Sequence, residues 1–537
     1  MGALHRQRNT YVRTMIEESI RKLVQNQECV IAVALSLSIT MLRLPSLEQP
    51  FDNDSGAIAY HARLIVRGEP LYGTHHPAHH MPAVYYAYAL AFLLFGDSVW
   101  AVKFLLILWT IVTVYLLYRL GVLMRDRATG ALAAVFYSIL TSHVHMAGTT
   151  AEIELFANLP RIAAILVLMH FTAQRATAWK FVLVGMLSAA AFLFKAIYLS
   201  SLAIAGFVLV IELWPIRSQT GARRITIMRG LWIAIGFAAG LLPVVAYFGL
   251  LGLLPRFLLA FTIGRGYVNF RTAASAGPEY LFLYPFLTLA ANNIALLTLS
   301  VTGLLLIVTN LLRRHHPRRG RQPSTVSCIP IWYILSFVEA GITRVNFSHY
   351  YLLVVPSLAL LAAWFLCKMY RDVSNQVRTG GRFAAASLLM LLLAITLSLS
   401  ATLNLNFYRC YARYRLGLET YQDFVRNGVH WGESLVRVQR LADYVRRHTS
   451  PNDRIYYWSG DTQIYYLADR RCAIDIIWPL YAEATGPYQR IFSPQTKYVI
   501  LGESNNIPRP AWLYAELVGE YALETVIEDQ EVYRRLD

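Results

Sequence analysis

Charge is what this chain has least of. Only 15% of its 537 residues are Asp, Glu, Lys or Arg, against about 25% in an ordinary soluble domain. The deficit falls in apolar runs long enough to cross a bilayer, which takes roughly 20 residues per helix, so a soluble protein with one ordinary core is excluded. Cysteine is also scarce. Cys29, Cys328, Cys367, Cys410 and Cys472 form no CxxC pair and no even framework. The first three lie in or beside apolar runs, whereas Cys410 and Cys472 share a polar tail in which an exported domain leaves a pairing open. A phosphate-binding glycine loop, an internal repeat and a low-complexity tract are all lacking. The N-terminus lacks the pattern of a cleavable signal peptide, since a polar lead of 28 residues precedes the first apolar run and no small-residue cleavage pattern follows it. Arg6 stands where a myristoylation signal following Gly2 wants Ser or Thr.

What is present is apolar, at 56% of residues. Apolar runs fall near 29–46, 98–123, 129–147, 157–173, 181–194, 197–214, 230–252, 283–312, 328–343, 350–367 and 383–403, which predicts a polytopic α-helical membrane protein with about eleven transmembrane helices. The net charge of +17 follows from where the basic residues sit rather than from a nucleic-acid partner. Arg125 and Arg127, Arg175 and Lys180, Arg217 to Arg229, Arg313 to Arg321 and Lys368 to Arg382 occupy alternate loops, as the positive-inside rule expects of the cytoplasmic side. The opposite loops carry Asp52, Asp54, Glu69, Asp97, Glu152 and Glu154. The lead, with Ile16, Ile20, Leu23 and Val24 at helical spacing, is expected along the inner membrane surface.

Three units follow: an amphipathic cytoplasmic lead over 1–28, a membrane domain over 29–403 with an outer loop at 47–97, and an extracytoplasmic tail over 404–537. In the outer loop, 55–68 and 82–95 read as amphipathic helices. The tail reads as a small soluble α/β domain. The helix "SLVRVQRLADYVRRH" leads through "SPND" to a strand "RIYYW", with further strands at "AIDII" and "KYVIL" and a closing hairpin around "LETVIEDQEVY".

Chemistry-bearing residues collect on the outer face. Asp52 and Asp54 follow the first run; the bland reading makes them loop acids, with Asp54 capping a helix that begins near Gly56. Glu152 and Glu154 sit at the mouth of a later run. On a helix, residues two apart point in different directions, so at most one of them is expected at a shared site. A carboxylate at the rim of a membrane cavity can act as general base toward an acceptor hydroxyl. Lys195, Arg265, Arg271, Arg344 and His349 supply positive groups suited to a phosphate, with snorkelling to the interface as the alternative for Lys195. "HHPAHH", residues 75–80, invites a metal through His79 and His80 together with Asp54 or Glu154, although Pro77 argues against a regular helix there. The alternative is a polar loop at headgroup level.

"FDNDSGAIAYHARLIVRGEPLY", "PAVYYAYALAFLLFGDSVWAVKF", "TTAEIELFANLP", "FLFKA", "HYYLLVVPSLALLAA" and "DRIYYWSGDTQIYYLADRR", in this order, resemble landmarks of the GT-C superfamily of integral membrane glycosyltransferases. The likeness is closest to the glycosyltransferase family 39 group of protein mannosyltransferases and aminoarabinose transferases. The resemblance implies a hexosyl- or pentosyltransferase that takes a sugar from a polyprenyl-phosphate carrier, inverts the anomeric centre and delivers it to a lipid, glycan or protein acceptor. It implies Asp54 as the base, Glu154 as the second-loop acid, and Lys195, Arg265 or Arg271 and His349 facing the lipid phosphate. Many members carry Asp-Glu where this chain has Asp54-Ser55, and Lys-Pro-Pro where it has His80-Met81-Pro82; Asp52 is the candidate to compensate for the first change, and a protonated or metal-bound His80 for the second. A divalent metal is the one candidate cofactor. The rival readings are a lipid-carrier transporter or flippase, whose ionisable residues would line the membrane midplane, and a non-catalytic relative that binds carrier lipid.

Overall fold

The computed structural model describes residues 27–172, 177–216, 220–274, 279–313, 325–342, 347–376, 379–482, 488–502 and 509–536. Residues 1–26 of the amphipathic lead lie outside them. Among the described residues, five helices are long and apolar enough to cross a membrane: Gln27–Glu48, Val99–Met124, Ile153–His170, Arg223–Leu250 and Phe286–Arg313. The reading of about eleven spans is corrected accordingly, and for four of the runs the reason is helix length. The runs near 129–147, 181–194, 197–214 and 328–343 fold as the shorter apolar helices Arg127–Leu140, Ala178–Phe194, Ser200–Ile211 and Cys328–Gly341. The run near 350–367 is broken by the 3-10 turn Ser348–Leu353 before the helix Val355–Gln376, and the last run lies inside the long helix Thr379–Arg415.

Small residues let these helices approach closely. A Cβ on Gly185 would stand 2.1 Å from the carbonyl oxygen of Ile233, and one on Gly236 would stand 2.0 Å from that of Val182. Backbones at this separation gain van der Waals contact that lipid cannot replace.

The outer loop forms the two expected helices, Asn53–Val66 and Ala83–Phe95. The first begins earlier than expected, and Asp52 rather than Asp54 caps it. The Asp52 carboxylate accepts from the Ser55 amide at 2.9 Å while the Ser55 hydroxyl serves the Asp52 amide at 3.1 Å, a reciprocal capping box. Ser55 is thus built into the helix start.

The tail carries a five-stranded mixed sheet: β1 Arg454–Trp458, β2 Arg471–Cys472, β3 Thr496–Leu501, β4 Tyr521–Ile527 and β5 Gln530–Arg535, in the order β2-β1-β3-β5-β4. β1 runs parallel to β2 and β3, while β5 pairs antiparallel with β3 and β4. The expected strand at "AIDII" is absent. Its backbone serves the histidine loop instead, with the Ile474 carbonyl accepting from the His75 ring at 3.1 Å and the Asp475 carbonyl accepting from the His76 amide at 2.7 Å. Cys410 and Cys472 are both buried and free, so they are not a pair.

The tail docks on the helix that bears Asp54. Arg63 reaches Asp97 at 2.5 Å, Asp469 at 3.2 Å and the Tyr466 carbonyl at 2.7 Å, and its guanidinium lies 3.8 Å from the Tyr466 ring centroid. Arg67 pairs with Asp469 at 3.0 Å, and Arg471 pairs with Glu69. Gly56 makes this approach possible, because a Cβ there would fall 2.2 Å from the Gln463 Cβ.

Candidate active site

The capping box fixes the first turn of Asn53–Val66, and Asp54 on that turn is half-buried. Glu152 and the ring of His349 each bring a ligand atom to it, and the three atoms lie within 4.8 Å of one another. Of the two second-loop acids, Glu152 and not Glu154 belongs to this set. The helix starts at Ile153, so Glu152 stands just before it.

Glu154 opens that helix and is buried. Its Oε1 accepts from the Tyr198 hydroxyl at 2.6 Å and lies 3.4 Å from Lys195 Nζ, while Oε2 has no partner among the described residues. Lys195 is the residue that ends the helix Ala178–Phe194, and its ammonium sits 3.7 Å above the Tyr350 ring. Snorkelling is therefore not its role: it is buried in the site with a carboxylate and an aromatic face. Behind the acids, Lys103 Nζ donates to the Gln49 carbonyl at 2.7 Å and the Thr149 carbonyl at 3.4 Å, which pins the end of the first span to the 148–152 segment.

The pocket is short of positive charge. Burial, reinforced by Asp52 and Glu154 and opposed by Lys195, pushes the Asp54 carboxyl up to about 7. Burial and the neighbouring acids raise Glu152 well above the carboxylate range, and burial lowers His349 against the pull of Glu154. Two carboxyls held toward their protonated forms beside a neutral imidazole make a donor set that fits a divalent cation of the magnesium, manganese or zinc type. His79 and His80 are not part of this set.

The histidine loop has another use. His76 donates from Nε2 to the Arg256 carbonyl at 2.7 Å, His79 packs 5.5 Å from Tyr481, and His80 packs 5.5 Å from Trp478 and lies 3.1 Å from the Tyr85 hydroxyl. Burial holds His79 down to about 3 and His80 well below its ordinary value, which opposes a positive charge on either ring. Arg265 is exposed on the helix Leu254–Ala274; the side chain of Arg271 and all of Arg344 lie outside the described residues. Sequence reading passed over Lys103, Tyr198, Arg256 and Tyr350. Lys103 alone carried a signal, a lysine inside an apolar run.

The profile of the family described as dolichyl-phosphate-mannose-protein mannosyltransferase matches residues 75–247, about a third of the chain. No curated protein matches. Among solved structures, ArnT from Cupriavidus metallidurans bound to undecaprenyl phosphate aligns at 13% identity and a TM-score of 0.56, over 95% of this chain and 98% of its own. The archaeal oligosaccharyltransferase AglB from Archaeoglobus fulgidus, in complex with an inhibitory peptide and a dolichol-phosphate, aligns at 12% identity and a TM-score of 0.56, over 89% of this chain and 69% of its own. The same oligosaccharyltransferase in complex with Zn and sulfate aligns at 12% identity and a TM-score of 0.53, over 88% of this chain and 68% of its own. The chain is a multi-pass membrane protein with the fold of the GT-C integral membrane glycosyltransferases. The resemblance read from the sequence motifs is borne out at that level.

Proposed function

We propose that the chain is an inverting glycosyltransferase. It takes a hexosyl or pentosyl group from a polyprenyl-phosphate carrier and passes it to a lipid, glycan or protein acceptor at the extracytoplasmic membrane face. The observation that carries this reading is the meeting of Asp54, Glu152 and His349 beside the Glu154–Lys195 pair. Fold neighbours captured with undecaprenyl phosphate and with a dolichol-phosphate support the donor class. In this reading the basic lead and the basic loops face the cytoplasm, and the tail lies on the outer side, where the donor's phosphosugar enters.

Asp54 takes the proton of the acceptor hydroxyl as its oxygen attacks the anomeric carbon. The bond from that carbon to the carrier phosphate breaks on the opposite face. The electron pair leaves with the phosphate, and the anomeric centre inverts. Lys195 and His349 face the departing phosphate, with Arg265 and Arg271 as the outer basic residues; Glu154 orients Lys195. Asp52 fixes the first turn under Asp54 and takes no proton itself, because its carboxylate already serves the helix start. Asp54, Glu152 and His349 would hold a divalent cation, which when bound supplies positive charge for the carrier phosphate.

The test is sugar release from a panel of polyprenyl-phosphate sugars by the purified chain and its Asp54→Asn variant, with and without a chelator. Loss of at least about a hundredfold in turnover on Asp54→Asn is expected of a missing general base. Unchanged turnover in that variant overturns the assignment. Lipid binding without turnover on any donor would move the chain to carrier binding or transport.

A further inference from the structure

A second polar cluster lies deeper, on the same helix as Glu154. Glu154, Asn158 and Arg161 stand at positions i, i+4 and i+7, one face of Ile153–Thr172. Arg161 is fully buried within a segment apolar enough to span the membrane, where an ionisable residue needs partners. It has them on four chain segments. Its Nη2 reaches Glu339 on the helix Thr325–Gly341, together with the hydroxyls of Ser200 at 3.0 Å and Ser336 at 3.3 Å. Its Nη1 reaches the Asn158 side-chain oxygen at 3.0 Å and the Leu353 carbonyl at 3.2 Å. Asn158 then donates to the Leu352 carbonyl at 3.0 Å, and the Ser200 amide donates to Glu339 at 2.6 Å.

Three of these four segments also carry a residue of the pocket. Ile153–Thr172 begins with Glu154, Ser200 follows Lys195 and Tyr198, and the turn Ser348–Leu353 carries His349 and Tyr350. A 3-10 turn has poorer internal hydrogen-bond geometry than an α-helix, and here its carbonyls are held from outside. We propose that Arg161, neutralised by Glu339, is a positioning residue that fixes the turn Ser348–Leu353 and so sets His349 against Asp54 and Glu152. The consequence for turnover rests on the proposed function; the consequence for His349 does not.

The experiment compares the full chain in nanodiscs with R161M/E339L, which removes both charges together, with R161K, and with Asn158→Ala, which cuts one link to the turn and leaves the ion pair. Modification of individual histidines by diethyl pyrocarbonate is followed by mass spectrometry, with the exposed His145 as internal control. Steady-state sugar release is measured alongside. In a folded R161M/E339L chain His349 should react about tenfold faster through local opening of the turn, with His145 unchanged. kcat should fall about tenfold with the donor KM little altered. Arg161→Lys should lie between that variant and the wild type, and Asn158→Ala should give a smaller rise in the same direction. His349 rates equal to wild type in R161M/E339L and in Asn158→Ala overturn the proposal, and Asn158→Ala alone decides it should the double variant not fold. If the wild type turns over no donor, the enzymatic reading fails while the histidine rates still decide the positioning role.

Discussion

The two polar clusters on Ile153–Thr172 lie about two turns apart and are built on opposite terms. Around Arg161, both terminal nitrogens are used on side-chain and carbonyl oxygens, and the charge has its counter-ion in Glu339. Around Asp54, acids crowd together, and the carboxyls of Asp54 and Glu152 are held toward their protonated forms. Both clusters take charge out of water at considerable cost. Each leaves one buried polar atom without a partner among the described residues, Arg161 Nε in the deeper cluster and Glu154 Oε2 in the shallower. What separates them is charge: the deeper cluster pairs a cation with a carboxylate, whereas the shallower sets acid against acid.

The largest expected effects test that contrast directly, because the two clusters should respond to mutation with opposite signs. Asp54→Asn should lower turnover at least about a hundredfold and raise the melting temperature of the metal-free chain, since it removes a charge that the fold disfavours. Arg161→Met should lower stability by about 3–5 kcal/mol, the cost of leaving a buried partner uncompensated. In R161M/E339L most of that loss should be recovered. Differential scanning fluorimetry on the chelated protein measures both. A melting temperature that falls in Asp54→Asn as it does in Arg161→Met would end the distinction.

A Gly56 substitution probes the next contact outward, between the Asp54 helix and the tail. With no room for a Cβ against Gln463, Gly56→Ala should destabilise the chain by about 1–3 kcal/mol, as overpacking does. It should also raise proteolysis of the tail. An alanine tolerated without change in either would show that the tail can sit further from the helix without loss.

The sequence made some of this legible and hid the rest for physical reasons. Lys195 is conspicuous in the sequence because charge between apolar runs is costly, whereas Asp54 and His349 stand out by their place on the outer face and in motifs that resemble the GT-C landmarks. The outer helices and most of the tail strands followed from periodicity, which is local. Glu152 joins Asp54 and His349 only through the fold, and the capping role of Asp52 depends on a helix start at Asn53, two residues before the expected one. "AIDII" has the composition of a strand, but its carbonyls were claimed by His75 and His76 from about 400 residues away in the chain, and no local pattern records that. Arg161 stood in plain view inside an apolar run; its partners Ser200, Ser336 and Glu339 did not, because they are brought together only by packing.

Acid should weaken that same long-range contact. His75 and His76 are buried against the tail, and burial lowers their ring pKa values to about 3 and about 4 respectively. His61, Arg454 and Arg471 face His75 and add to its lowering; Arg256 does the same at His76, where Asp475 opposes it. Above the ordinary histidine value near 6.5, both folded and unfolded chains are neutral here and the contact is at full strength. Below it the unfolded chain takes up protons that the folded one refuses, so stability falls with pH, by about 1.4 kcal/mol per unit for each ring until the folded pKa is reached. Opening should begin where the rings bind, and hydrogen exchange at 474–482 should quicken between about pH 6.5 and 4 before exchange in β1 and β3 does. Replacing both rings by asparagine should flatten this dependence. An unchanged slope in that variant would overturn the assignment to these rings, and the Asp54–Glu152 pair could not take their place, because carboxyls raised in the folded chain favour it as pH falls.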